Sequence, residues 1–289
     1  MKEAITLFEG CIAPLRYPGV IKAFYHIASV LGLPARKISG FSCCPAPGIF
    51  RPLNEDTFFT IAARNLAVAE GNGVSIVVPC NGCYETLHDA NELLTQNPES
   101  RDKINRGLRE VGREYHGKVK VSHVVDLLHD NLNLLQNNLK KKLKLRVAVH
   151  YGCHYIHLHK DKVDGKILEK ILETLGATPV EYGEKTLCCG AGRGIRSLTP
   201  KLSLEITRSK LESIQGSNAD CICVICSFCL YQLDRVQREL SKREGKDYSI
   251  PVFHILELLS IALNPEVAEN LGFETHSVDV KPALKKALT

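Results

Sequence analysis

Ten of the twelve cysteines in this chain fall into two sets of five that run in the same order. Cys11, the adjacent pair Cys43-Cys44, and Cys80 with Cys83 read C-x31-CC-x35-C-x2-C. Cys153, the pair Cys188-Cys189, and Cys226 with Cys229 read C-x34-CC-x36-C-x2-C, offset from the first set by 142 to 146 residues throughout. A repeat of this kind marks a duplicated unit. At 289 residues the chain can supply each copy with a core of its own.

The segments around the cysteines repeat as well. An apolar run suited to a strand, Ala4 to Phe8 or Val147 to Val149, leads to a glycine and the first cysteine of each set. A helix is expected next, with Val20, Ile21, Phe24, Ile27 and Leu31 at helical spacing and a stop at Gly32. Its counterpart uses Ile167, Ile171, Leu172 and Leu175 and stops at Gly176. A second strand, Val74 to Val78 or Cys221 to Ile225, precedes each CxxC, and a helical stretch follows it. His123-Val124-Val125-Asp126-Leu127-Leu128 and His254-Ile255-Leu256-Glu257-Leu258-Leu259 close the two units. Strands alternating with helices at this length imply an α/β fold of two similar Rossmann-like domains, each a small parallel sheet flanked by helices. The boundary is expected near residue 145, dividing 1–145 from 146–289.

Composition narrows the function classes. With 44% hydrophobic and 24% charged residues the chain reads as a globular protein. No apolar run reaches the roughly 20 residues that span a bilayer, and the first ten residues lack a signal-peptide core, so a cytoplasmic location is expected. The net charge of +5 is modest. Its densest run, Lys140-Lys141-Lys142 with Lys144 and Arg146, reads as a solvated linker face rather than a nucleic-acid site. In a reducing compartment so many thiols point to metal ligation or redox catalysis.

A CxxC alone suits zinc, a redox dithiol or a cluster. The adjacent pairs discriminate better, because neighbouring strand residues point to opposite faces and both can reach one centre only from a tight loop. Pro45-Ala46-Pro47-Gly48 and Gly190-Ala191-Gly192 supply that loop chemistry. Five thiolates exceed the four that saturate zinc or a cubane cluster. The fifth could be a redox thiol, a bridge between irons or a packed side chain.

The doubled pattern resembles the cysteine-rich CCG domain family, in the tandem form of the heterodisulfide reductase B subunit. Gly10-Cys11, Arg16-Tyr17-Pro18-Gly19, Cys43-Cys44-Pro45-Ala46-Pro47-Gly48, Cys80-Asn81-Gly82-Cys83-Tyr84, His150-Tyr151-Gly152-Cys153-His154 and Cys188-Cys189-Gly190-Ala191-Gly192 carry the likeness. The resemblance implies two noncubane [4Fe-4S] clusters facing each other across the domain interface. Cys11, Cys43, Cys44, Cys80 and Cys83 would hold one, and Cys153, Cys188, Cys189, Cys226 and Cys229 the other. A disulfide between them would be cleaved reductively, in methanogens that of coenzyme M with coenzyme B. Electrons would come from the ferredoxin-like C subunit of the same complex, fed by its flavin-carrying A subunit. Lipoyl or persulfide sulfur is the alternative substrate, and a cluster module that only relays electrons, or a zinc scaffold, is the alternative function.

Other residues carry weaker signals. His154 follows a ligand position and could protonate a departing thiolate. Arg193 and Arg196 could take an anionic substrate tail. His157 and His159 would share a face of an extended segment and read as surface residues. Cys221 and Cys223, at strand spacing, read as buried packing. Gly190 to Gly194 superficially resembles a dinucleotide loop, but Lys210 stands where an acidic residue is needed, so no nicotinamide or flavin is expected.

Overall fold

The computed structural model describes residues 3–289. Its first half holds a parallel sheet of β1 (Ile5–Leu7), β2 (Ser75–Val78) and β3 (Val121–His123) in the order β1-β2-β3. The second holds β4 (Arg146–His150), β5 (Thr178–Val180), β6 (Cys221–Val224) and β7 (Val252–His254), all parallel, in the order β5-β4-β6-β7. The fourth strand is only nominally extra. In the first half Ile5 makes a parallel bridge to Ala35, on the side of β1 that corresponds to β5. The expected α/β class, with two similar small parallel sheets flanked by helices, is the architecture the chain adopts.

Local chemistry explains the elements. The central strands, Ser-Ile-Val-Val and Cys-Ile-Cys-Val, are buried along their whole length, as strands covered on both faces require. Cys221 and Cys223 are fully buried there. The helix Pro18–Val30 begins with proline at its first turn and buries Val20, Ala23, Phe24 and Ile27. Gly32 follows it at φ +59°. His123 and His254 cap the closing helices by accepting from Val125 N and Leu256 N.

The halves are joined by more than the linker. Leu7 and Val77 belong to a hydrophobic cluster that continues through the second half, whereas Phe8, Ile76 and Val78 belong to one whose buried members all lie in the first. Neighbouring strand residues point to opposite faces, so one face of the first sheet is covered by its own helices and the other faces the joint core. The helix Pro18–Val30 packs on Ile255–Leu263 of the second half. Tyr17 donates to Asp234 Oδ2 at 2.8 Å, and Asp234 also accepts from Ser277 N and Val278 N. A Cβ on Gly19 would lie 2.0 Å from Leu271 O, so only glycine permits this approach. The lysine-rich linker is pinned too: Lys140 N and Lys141 N both donate to Ala262 O. No helix among the described residues is long and apolar enough to cross a membrane.

Candidate cluster-binding site

Each first cysteine follows the C-terminal end of a strand, where parallel sheets place their ligand sites. Cys11 comes after β1, Cys80 after β2, Cys153 after β4 and Cys226 after β6. Cys80 and Cys226 are the N-caps of the helices Asn81–Gln96 and Ser227–Glu244, and Cys83 and Cys229 lie in their first turns. The positive end of the helix dipole favours thiolate there, and hydrogen bonds with Cys226 and Cys83 lower Cys80, whereas neighbouring sulfurs and burial raise Cys83 and Cys229 and burial raises Cys226. Both adjacent pairs lie in loops. Thr86 Oγ1 fastens the first by donating to Pro45 O, and Thr207 Oγ1 the second by donating to Cys189 O.

All ten cysteines line a single cavity of about 290 Å³ between the halves. Cys44 and Cys83 Sγ are 2.7 Å apart and Cys153 and Cys188 Sγ 3.8 Å, and none of the twelve cysteines is in a disulfide. Equivalent members of the two sets meet across the interface, with Cys80 Sγ 3.6 Å from Cys226 Sγ. The glycine before each set is placed alike. A Cβ on Gly10 would sit 3.2 Å from Cys83 Sγ, and one on Gly152 3.2 Å from Cys229 Sγ. Hydrogen bonds with Cys43 and Cys83 hold the Cys44 thiol down to about 6, and those with Cys153 and Cys189 hold Cys188 down to about 2. Within each set a lowered thiol is thus paired with a raised neighbour, Cys44 with Cys83 and Cys188 with Cys153, as sulfurs that share protons at close range must be.

Hydrogen bonds close the seam around the cavity. Ser227 N and Oγ both donate to Pro79 O at 3.1 Å, and His254 Nε2 lies 3.1 Å from the same oxygen. Asn81 Nδ2 donates to Tyr151 O at 2.6 Å.

His154, Arg193 and Arg196 all line the cavity. His154 Nδ1 pairs with Glu85 Oε2 from the first half, and both side chains are almost buried. A Cβ on Gly192 would be 3.3 Å from His154 Nε2. Arg193 has φ +53°, and its backbone lies against Gly48, where a Cβ would be 2.5 Å from Arg193 Cα. Arg196 donates to Gln232 Oε1 at 2.9 Å and lies over the Tyr231 ring. His157 is exposed as expected, but His159 is half-buried, 3.0 Å through Nε2 from Tyr84 Oη. Residues Cys153–Leu158 form a helix rather than an extended segment, so positions two apart part company.

Sequence reasoning gave no site role to Glu85, Asn81, His150 or Lys210. His150 lies with Cys189 and Cys229 in one buried group whose donor atoms are within 4.8 Å of each other. Neither of its ring nitrogens has a hydrogen-bond partner among the described residues. Aligning the halves on Gly10-Cys11 and Gly152-Cys153 would have singled it out, because its counterpart is Phe8.

The model of the cysteine-rich CCG domain matches the chain twice, at residues 5–88 and 147–234. The B subunit of the ferredoxin/F(420)H(2)-dependent CoB-CoM heterodisulfide reductase of Methanosarcina acetivorans is 40% identical over 281 residues, which cover 95% of this chain and 93% of that protein. The "8-methylmenaquinol:fumarate reductase membrane anchor subunit" of Wolinella succinogenes is 30% identical, over 96% of this chain and 98% of that one. The crystal structure of a hypothetical protein from Helicobacter pylori superposes with a TM-score of 0.74 over 97% of this chain, at 16% identity. This chain spans 53% of that structure, and the likeness is one of fold.

Proposed function

Because the chain belongs to the cysteine-rich CCG domain family, as a relative of the heterodisulfide reductase B subunit, we propose that it is the disulfide-cleaving iron–sulfur component of a heterodisulfide-reductase-type complex. The observation that carries this reading is the convergence of ten thiols from two equivalent sets on one cavity, with Cys80 and Cys226 in contact across the seam. Cys11, Cys43, Cys44, Cys80 and Cys83 hold one noncubane [4Fe-4S] cluster, and Cys153, Cys188, Cys189, Cys226 and Cys229 the second. Five thiols per set exceed what zinc or a cubane cluster uses. The orphaned, buried imidazole of His150 also fits a group that presents acceptor sulfur at that place. The units divide near residue 145, and the chain works in a reducing compartment, the cytoplasm.

When bound, such clusters supply electrons one at a time beside the substrate sulfurs. Cleaving a disulfide consumes two electrons and two protons and yields two thiols, so the chain needs a proton source at the cavity. His154 fills that role: Glu85 holds the ring through Nδ1, leaving Nε2 beside Gly192 to deliver a proton to a departing thiolate. Arg193 and Arg196 border the cavity and bind an anionic tail of the substrate. In methanogens the substrate is the disulfide of coenzyme M and coenzyme B, with lipoyl or persulfide sulfur the alternative. The ferredoxin-like C subunit and the flavin-carrying A subunit of such a complex supply the electrons. The Wolinella relative, named as part of a fumarate reductase, favours one second reading, in which the clusters only relay electrons.

Iron and acid-labile sulfide, counted on anaerobically purified protein, test the cofactor assignment. About eight of each per chain are expected for two four-iron clusters, and zinc without iron would overturn the assignment. Turnover of a disulfide by the reduced complex tests the reaction. Cys80→Ser and Cys226→Ser should each abolish it, whereas a redox signal indifferent to every disulfide added would establish the relay instead.

A further inference from the structure

The two cysteine sets match in sequence but not in their surroundings. Behind the second set stand two buried nitrogen donors. His150 is fully buried, and its donor atoms share a group with Cys189 and Cys229 Sγ while finding no other partner among the described residues. In the first half Phe8 holds this position, with its ring edge-on to Phe41 in an apolar cluster. Lys210 is likewise fully buried, on the helix Pro200–Gln215, one turn after Thr207, which donates to Cys189 O. Its Nζ donates to Glu184 O and lies over the Tyr182 ring, so no carboxylate takes up its charge by direct contact. The counterpart of Lys210, at the same distance after the second cysteine of the adjacent pair, is Asn65. Asn65 is neutral, and its Oδ1 is occupied by Ser42 N and Oγ.

A hydrogen bond to cluster sulfur and a positive charge in a water-poor site both stabilise the more negative, reduced state. We propose that His150 and Lys210 tune the second-half cluster, raising its reduction potential above that of the first and making the second half the electron-accepting end of the pair. This rests on the cluster assignment above. The duplication supplies its own control, since the first half shows which neutral residues the same fold accepts at both positions.

The test is a redox titration of the anaerobically purified chain, followed by electron paramagnetic resonance, after iron and sulfide have been counted. Two separate midpoints are expected. His150→Phe and Lys210→Asn, which install the first half's residues, should each change the reduced-to-oxidised ratio of the upper step at least tenfold at fixed potential, about 59 mV for one electron. The lower step should stay where it is, and Lys210→Arg should retain the wild-type midpoint. Phe8→His, made separately in the first half, should raise the lower midpoint. Full iron with an unmoved upper midpoint, or movement of both midpoints together, would overturn the proposal. So would loss of half the iron in His150→Phe, which would make His150 a ligand. A wild-type chain without iron would instead remove the cofactor assignment on which the proposal stands.

Discussion

Replacing Gly152 with alanine probes the tightest point of the second cysteine loop. Gly152 has φ +81° and ψ 143°, a region open essentially to glycine alone, and forcing a side chain into it costs about 1–3 kcal/mol. The new Cβ would lie 2.6 Å from Asn81 Nδ2 and 3.2 Å from Cys229 Sγ. Neither neighbour can retreat freely, because Asn81 is bonded to Tyr151 O across the seam and Cys229 is buried. Overpacking of this kind costs about 1–3 kcal/mol more, so Gly152→Ala should lose about 2–6 kcal/mol in all. Gly32→Ala is the control. Its φ is +59° and nothing lies within 4 Å of the added carbon, so only the left-handed backbone cost of about 1–2 kcal/mol applies. Denaturant unfolding of both variants and the parent, under reductant and with slopes compared, measures the difference. Equal losses in the two variants would refute the claim that close approach at Gly152 adds to the cost of its backbone conformation.

His154→Gln should lower disulfide turnover by about 10²- to 10⁴-fold, the range for a lost general acid, while iron content stays unchanged; undiminished turnover would remove His154 from the reaction. Phe24→Ala should destabilise the chain by about 3–5 kcal/mol, because this fully buried ring lies in the joint core of the two halves, as thermal or denaturant unfolding would report. Burial holds His123 down to about 3 and pushes His254 and His150 down as well. Above pH 6.5 these rings are neutral folded or unfolded; below it the unfolded chain takes up protons first, so His123 should lower stability by up to about 1.4 kcal/mol per pH unit as pH drops towards 3, with His254 and His150 adding to the decline below pH 6.5. His123→Asn keeps a capping side chain and should flatten that decline in unfolding measured as a function of pH.

Much of the fold was legible in the sequence because the signals are local. Short continuous apolar runs marked β1, β2, β4 and β6, and helical spacing that ended at Gly32 and Gly176 marked the helices after the first cysteines. Repeated order alone paired the two cysteine sets. The short edge strand β5 escaped notice because Thr178-Pro179-Val180 offers too few residues for an alternation, and proline is tolerated there only because the strand lies at an edge. His159 was misplaced because two histidines with one residue between them look alike on a strand but diverge on a helix.

The sequence by itself determined which thiols fall in each set, that each set follows a strand and heads a helix, and that a glycine precedes each first cysteine. Those are matters of spacing, periodicity and backbone conformation within one unit. Only the tertiary structure decided that Cys80 meets Cys226, that Glu85 of one half holds His154 of the other, and that His150 and the helix carrying Lys210 stand behind the second set alone. It also decided that the halves share a core across one face of the first sheet. Partners 146 residues apart are chosen by how two sheets and their helices close on each other, and a duplicated sequence, alike in both halves, carries no local signal for which faces will meet.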